Sequence, residues 1–351
     1  MRWYAFLLYP FALLYDLVTR LRNWFFDLGW LKSVPSPITS IVVGNLSVGG
    51  TGKTPMVEYL IRKLQKEWKV ASLSRGYGRK TKGFLEANNQ ITPQDIGDEP
   101  FQIYQKFGEE ISVFVGEDRV NALERIVSKT DFPELVILDD AYQHRYVTGD
   151  LTILLTTYQK PFFSDFLLPM GRLRESRSGA KRADVIIVTK CPEGISDLEK
   201  NRFRKEFSKY KRSGIPVLFS FISYGEPIPI VDSTPFSSKI ILLTGLANDQ
   251  ALVEFVEKKF KLLEVIRYPD HHDYSTTDFQ KIQALVKQLA GQNPVVLTTE
   301  KDAVKVKSNA PKGFLKEIPI FVLPIEVRFS ANDELTLAEL IQQKAFKKGN
   351  N

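Results

Sequence analysis

Eight residues, SVGGTGKT at 47 to 54, restrict this chain more than any other stretch. They follow the phosphate-binding pattern G-x-x-x-x-G-K-[ST] except at the first position, where Ser47 stands in place of glycine. The flanks supply the context that the motif requires. Upstream, ITSIVVGN (38 to 45) is a short β-branched apolar run, which predicts a buried parallel strand. Downstream, Met56, Leu60, Leu64 and Trp68 recur at helical spacing, and Pro55 falls in the first turn, where a missing N–H does no harm. Gly49, Gly50 and Gly52 let backbone N–H groups turn inward around an anion at the helix N-terminus. Lys53 would reach the β- and γ-phosphates, and the Thr54 hydroxyl would bind Mg²⁺. The nucleotide loop is therefore assigned to Ser47, Val48, Gly49, Gly50, Thr51, Gly52, Lys53 and Thr54. Ser47 sits at the loop's entry, outside the cradle.

The strand–helix rhythm continues beyond the loop. KVASLSRGYG, EISVFVG, ELVILDD, DLTILLTT and ADVIIVTK read as strands, with EPFQIYQKFG and DRVNALERIVS as helices among them. Apolar strands alternating with helices predict an α/β fold, a doubly wound, mainly parallel sheet with helices on both faces. From Phe207 onward the chain turns proline- and serine-rich, so the domain change is expected within 211–236. The P-loop domain then covers 34–210, and 237–351 forms a second, smaller α/β unit containing KIILLTGLAND, NPVVLTTEKDAVK and IPIFVLPIEVRF.

Residues 1–33 are of a different kind. An apolar run from Trp3 to Tyr15, interrupted by Pro10, is shorter than the roughly 20 residues a spanning helix needs. No small-residue cleavage site follows, which argues against a signal peptide. Asp16, Arg20, Asn23 and Asp27 recur at helical spacing, while Leu14, Leu17, Leu21, Phe25 and Leu28 lie away from them. With Trp3, Tyr4, Trp24 and Trp30 added, the segment reads as an amphipathic helix lying in a membrane interface. The competing reading is a helix packed on the protein's own core. A net charge of +7 favours an acidic partner, and the single Cys191 excludes an internal disulfide.

Chemistry concentrates at a few points. LVILDD ends a strand in Asp139 and Asp140, the arrangement by which a carboxylate reaches phosphate-bound Mg²⁺. Successive strand residues face opposite ways, so the two aspartates have different duties. IGDEP offers Asp98 and Glu99, either of which fits a base for a hydroxyl proton. The three histidines fall in two motifs, His144 beside the double aspartate and His271–His272 in PDHHDYS; with no cysteine beside them and no ligand spacing, zinc is not expected. GRLRESRSGAKR carries Arg172, Arg174, Arg177, Lys181 and Arg182 against Glu175, a solvated face or a phosphate-binding one.

These stretches together resemble the lipid A 4′-kinase (tetraacyldisaccharide 4′-kinase) family. VGNLSVGGTGKTP, SRGYGRKTKG, GDEP, LDDAYQH, LLPMGRLRES, ADVIIVTK, LTGLAND, DHHDYS and TTEKDAVK occur in the family's order between residues 43 and 305, and Ser47 belongs to the family pattern. Ala141 stands where glycine is expected, and RES replaces Arg-Glu-Pro; neither change removes a reacting group. The resemblance implies transfer of the ATP γ-phosphate to the 4′-hydroxyl of a tetraacyldisaccharide 1-phosphate, giving lipid IVA, at the cytoplasmic face of the inner membrane. It implies Asp98 as the base, His271 as the group that tunes it, and Asp139, Asp140, Thr54 and Glu99 as managers of Mg²⁺. It implies Asn45, Arg119, Gln143, His144, Arg174 and Glu175 as the lining of the sugar and 1-phosphate site. Asp98 and His271 fall on different expected domains, so the site would be complete only when the cleft closes.

A membrane-cycling ATPase switch is the main rival, but its extra loop lysine is missing, because Val48 precedes Gly49. A GTP switch would need Asn-Lys-x-Asp, and VTKCPEG has no aspartate in place. Nucleic acid would suit the charge but not the apolar N-terminus, so no nucleic-acid partner is expected, nor an obligate protein partner.

Overall fold

The structure, a computed structural model, describes residues 7–231, 235–270 and 272–345. A nine-stranded sheet forms its larger layer, ordered Ile325–Phe329, Val217–Tyr224, Val185–Thr189, Leu151–Thr157, Thr39–Asn45, Leu135–Asp139, Val70–Ser74, Ser112–Val115 and Leu85–Glu86. Only the two edge strands run antiparallel to their neighbours. The strand that feeds the phosphate loop, Thr39–Asn45, is central, and from Ser40 onward every residue is buried. Such two-sided burial is why its sequence reads as an unbroken apolar run. On one face the P-loop helix, Lys53–Leu64, packs Met56, Val57, Leu60 and Ile61 at zero exposure. On the other, the Arg119–Val127 helix packs Ala122, Leu123 and Ile126 against Val42, Leu73 and Leu138.

The second sheet is ordered Ile228–Pro229, Ile320–Leu323, Val295–Thr299, Lys239–Thr244 and Lys261–Arg267, parallel apart from the first of these. Its own core forms around Ile241, Leu243, Val296 and Phe279.

The boundaries differ from those expected. Val217–Tyr224 lies inside the expected linker region 211–236, yet it pairs with Val185–Thr189 in the first sheet. IPIFVLPIEVRF, expected wholly in the smaller unit, divides at Pro324: Ile320–Leu323 closes the second sheet and Ile325–Phe329 returns to the first. A proline lacks the N–H that a ladder needs, so one run supplies strands to two sheets. The closing helix, Ala331–Ala345, then buries Leu337 and Ile341 in the same core as Met56 and Leu60. The second unit is thus inserted in the first, and the chain crosses between them twice.

Candidate active site

Parallel sheets bind ligands at the C-terminal edge of their strands, and this one places its chemistry there. After Asn45 the chain rises through a loop whose crown, Gly49 and Gly50, is exposed. Gly52 takes a left-handed backbone, φ 82°, as the last residue before the helix. Ser47 does not adopt a positive φ. It is buried and bridges to Leu173 in antiparallel fashion, while the Val48 N–H donates to the Arg172 carbonyl at 2.7 Å. The first loop position is therefore extended backbone, in which serine is as acceptable as glycine. The loop is braced from beneath, because Asn45 Nδ2 donates to Thr51 Oγ1 at 2.6 Å and Thr189 Oγ1 donates to the Thr51 carbonyl at 2.8 Å.

Register brings the double aspartate to this loop. Asp139 pairs with Val43, two residues before Asn45. It is 2% exposed, and its Oδ1 has no hydrogen-bond partner. Burial pushes its carboxyl well up, Glu99 and Asp140 add to the rise, and Lys53 opposes it. Asp140 adopts φ 49° and turns the other way. Its carboxylate meets Lys53 Nζ at 3.5 Å and Arg174 Nη1 at 3.0 Å. Burial works to raise Asp140, but Lys53 and Arg174 together hold it below the ordinary carboxylate range. The two neighbours differ: one keeps an unpartnered oxygen and the other pairs with two cations.

The Asp98–Phe107 helix presents Asp98 and Glu99 in its first turn. Gly97, just before it, needs to be glycine. Its φ is 92°, and an added Cβ would sit 2.7 Å from the Tyr77 carbonyl oxygen. Asp98 pairs with Lys305 of the second unit at 3.1 Å. His271 lies outside the described residues. Its neighbour His272 contacts Asp278 at 3.0 Å and stacks on Tyr268.

The six expected acceptor-site residues separate into two groups. Gln143, His144, Arg174 and Glu175 gather beside the N-terminal helix. Gln143 Nε2 donates to Glu175 Oε1 at 3.2 Å, and Arg174 Nη1 donates to Gln143 Oε1 at 3.3 Å. Glu175 is buried and takes both Arg182 guanidinium nitrogens, at 2.7 and 2.9 Å. Asn45 and Arg119 lie deeper, at the strand ends. Asn45 is fully buried under the loop. Arg119 is 2% exposed and donates to the carbonyls of Gly116, Glu117 and Asp139. Burial pulls its guanidinium down to about 10, against the opposing charge of Asp139 and Asp140. Asn45 Oδ1 and Arg119 Nε nevertheless keep no hydrogen-bond partner, so each retains a polar atom beyond its bonds within the fold.

The match to known proteins fits this geometry. The tetraacyldisaccharide-1-P 4′-kinase family matches the chain over residues 4–345. The chain belongs to that family. The tetraacyldisaccharide 4′-kinase of Flavobacterium psychrophilum is 44% identical, covering 93% of this chain and 93% of its own. That of Bacteroides thetaiotaomicron is 40% identical, covering 93% and 90%. A crystal structure of LpxK from Aquifex aeolicus in complex with ATP is 30% identical, with a TM-score of 0.72 over 97% of this chain and 98% of that one.

In this kinase the N-terminal helix, Tyr9–Asp27, is docked by its polar face. Tyr15 Oη donates to the Arg174 carbonyl at 2.9 Å, Arg22 to the Gln143 carbonyl at 2.9 Å, and Asn23 Nδ2 to Glu175 Oε2 at 3.0 Å. Arg145 closes the end, reaching the Asn23 carbonyl and Asp27. The apolar face is left outside: Phe11 is 62% exposed, Leu14 61% and Leu17 63%. No helix among the described residues is long and apolar enough to cross a membrane.

His144 carries a testable consequence. Burial, followed by the Arg119 charge, lowers its pKa to about 4, so it is neutral in the folded kinase at pH 7. The unfolded chain takes up that proton near the ordinary value of about 6.5. The unfolded state therefore binds more protons between these values, and folding stability falls as pH drops through the window. Urea denaturation from pH 7 to 4.5 should show a smaller loss of stability for His144→Gln than for the parent. Parallel losses in the two proteins would contradict the assignment.

Proposed function

We propose that the chain transfers the γ-phosphate of ATP to the 4′-hydroxyl of a tetraacyldisaccharide 1-phosphate, forming lipid IVA at the cytoplasmic face of the inner membrane. The observation that carries the reading is the meeting, at one sheet edge, of the phosphate loop, the Asp139–Asp140 pair and the first turn bearing Asp98 and Glu99. The Glu99 charge helps to raise the Asp139 carboxyl, which supports a common site for the two.

Lys53 is positioned to balance charge that builds on the transferring group. Its ammonium pairs with Asp140 at 3.5 Å. Asp139, Thr54 and Glu99 are the residues that would hold Mg²⁺, and the partnerless Asp139 oxygen is the feature that fits one. Among the described residues no three His, Cys, Asp or Glu side chains converge as a ready cage. That agrees with Mg²⁺, which takes one or two carboxylates and fills its remaining positions with phosphate and water. When bound, the ion would neutralise charge on the phosphate oxygens. Asp140, already shared by Lys53 and Arg174, orients those cations. The family resemblance implies Asp98 as the acceptor of the 4′-hydroxyl proton and His271 as the group that would tune it.

The acceptor's sugar and 1-phosphate would occupy the cluster of Gln143, His144, Arg174 and Glu175, where arginine suits a phosphate. The N-terminal helix borders this cluster and offers its apolar face to lipid. An acceptor whose acyl chains stay in the bilayer would thus meet the enzyme at its membrane-facing side.

Two measurements test these assignments. Asp98→Ala and His271→Ala should each lower kcat by roughly 10²–10⁴, the usual range for acid–base groups. Their double variant should be little worse than the poorer single. Fully additive losses would separate the two residues and remove the pair from the mechanism. For the membrane, Phe11→Asp with Leu17→Asp should weaken association with anionic vesicles while leaving the docked polar face unchanged. Undiminished vesicle binding would count against an interfacial helix.

A further inference from the structure

The Asp98 helix is anchored at both ends to the second unit. Asp98, Gln102 and Lys106 recur every four residues and so share one face. At one end Asp98 pairs with Lys305, and at the other Lys106 Nζ lies 2.5 Å from Glu300 Oε1. Both partners belong to the Glu300–Asn309 helix. The two helices are thus joined antiparallel by two ion pairs of opposite sense.

Lys106 has a second partner on the P-loop helix. Glu58 Oε2 is 2.6 Å from Lys106 Nζ, and Glu58 Oε1 accepts from Gln102 Nε2 at 2.8 Å. The Glu58 side chain is 1% exposed, and Arg62 completes its shell at 3.3 Å. Glu58 lies five residues beyond Lys53, about 7.5 Å along a continuous helix. Glu300 in turn accepts from the Ile325 N–H at 3.3 Å. Ile325 is the first residue of the strand that returns from the second unit to the first sheet. One ammonium therefore joins the helix that carries Lys53, the helix that carries Asp98, and the second unit at its point of return.

We propose that Lys106 is a positioning residue, whose bridge between Glu58 and Glu300 sets the approach of the Asp98 helix and the second unit to the phosphate loop. It touches neither nucleotide nor acceptor. The proposal rests on Asp98 being the base, because it is through that helix that Lys106 acts. The physical reason is charge balance in a poorly solvated place. Two carboxylates from different units face one another there, and without the ammonium they repel. A shift of about 1 Å in a reacting group costs roughly 10²-fold in rate, so a small opening of this joint would be read in turnover. The phosphate cradle, built on the N-terminal end of the P-loop helix about a turn and a half before Glu58, would be left intact.

Steady-state kinetics with ATP and the lipid acceptor in micelles provide the test. Lys106→Met keeps the stem and removes the charge; kcat should fall by about 10–10²-fold while the KM for ATP stays within about twofold. Lys106→Arg should recover kcat to within about threefold. Adding Glu300→Gln to Lys106→Met relieves the repulsion and should restore Tm, but kcat should stay low because the bridge is still absent. If kcat recovered together with Tm, Lys106 would be merely structural and the proposal overturned. A kcat for Lys106→Met within twofold of the parent would also overturn it. Should Lys106→Met fail to fold, Glu300→Gln alone cuts only the link to the second unit and carries the same expected split; unchanged kcat there defeats the proposal. Failure of the base assignment would appear elsewhere, as retained turnover in Asp98→Ala.

Discussion

Asp140 joins the nucleotide loop to the polar cluster around Arg174. One of its oxygens is 3.5 Å from the Lys53 ammonium and 3.0 Å from the Arg174 guanidinium. Lys53 belongs to the nucleotide loop, and Arg174 belongs to the cluster assigned here to the acceptor. Their common carboxylate ties the loop to that cluster. The left-handed backbone at Asp140, φ 49°, turns this side chain away from the direction taken by Asp139. A backbone state of this kind is uncommon for a residue other than glycine and marks a position held by its surroundings. Here the two ion pairs and the end of a fully buried strand hold it.

From Arg174 the network continues outward. Its main-chain carbonyl accepts from Tyr15, the Gln143 carbonyl accepts from Arg22, and Glu175 accepts from Asn23, so polar groups fasten the N-terminal helix to this cluster. This inverts the usual economy of a surface helix, which buries its apolar stripe and shows water its polar one. Phe26 is the exception on the inner side, with Tyr146 edge-on and Arg145 over its ring. An outer face carrying Phe11, Leu14, Leu17, Leu21 and Trp24 suits lipid, and polar groups that would be poorly placed in lipid are spent on the protein.

Much of the fold was legible because its signals are local. The strand before the loop, the glycine loop, the helix behind it and the strand ending in two aspartates are each determined by a few adjacent residues. What escaped depended on distant contacts. Val217–Tyr224 sits between Pro216 and a Gly-Glu-Pro turn, so it read as part of a linker; pairing with Val185–Thr189 on one side and Ile325–Phe329 on the other makes it a sheet strand. Pro324 was visible, but a proline inside an apolar run does not say that its two sides serve different sheets. Within the site, residue types were found and depths were not. Arg119 and Asn45 have chemistry suited to a sugar phosphate, and their burial at the strand ends is set by packing that spacing does not encode. Lys106, Glu58 and Glu300 gave no motif, because their relation exists only once three helices have met.

The central claim is that this site moves phosphate to a lipid acceptor and does not cycle as a nucleotide switch. It is tested most directly by measuring ADP release by the full chain in detergent micelles, with and without tetraacyldisaccharide 1-phosphate, and matching ADP to phosphorylated lipid. The account predicts negligible turnover without acceptor and one 4′-phosphorylated disaccharide per ADP with it. Steady ATP hydrolysis in acceptor-free micelles, unchanged when the lipid is added, would contradict it.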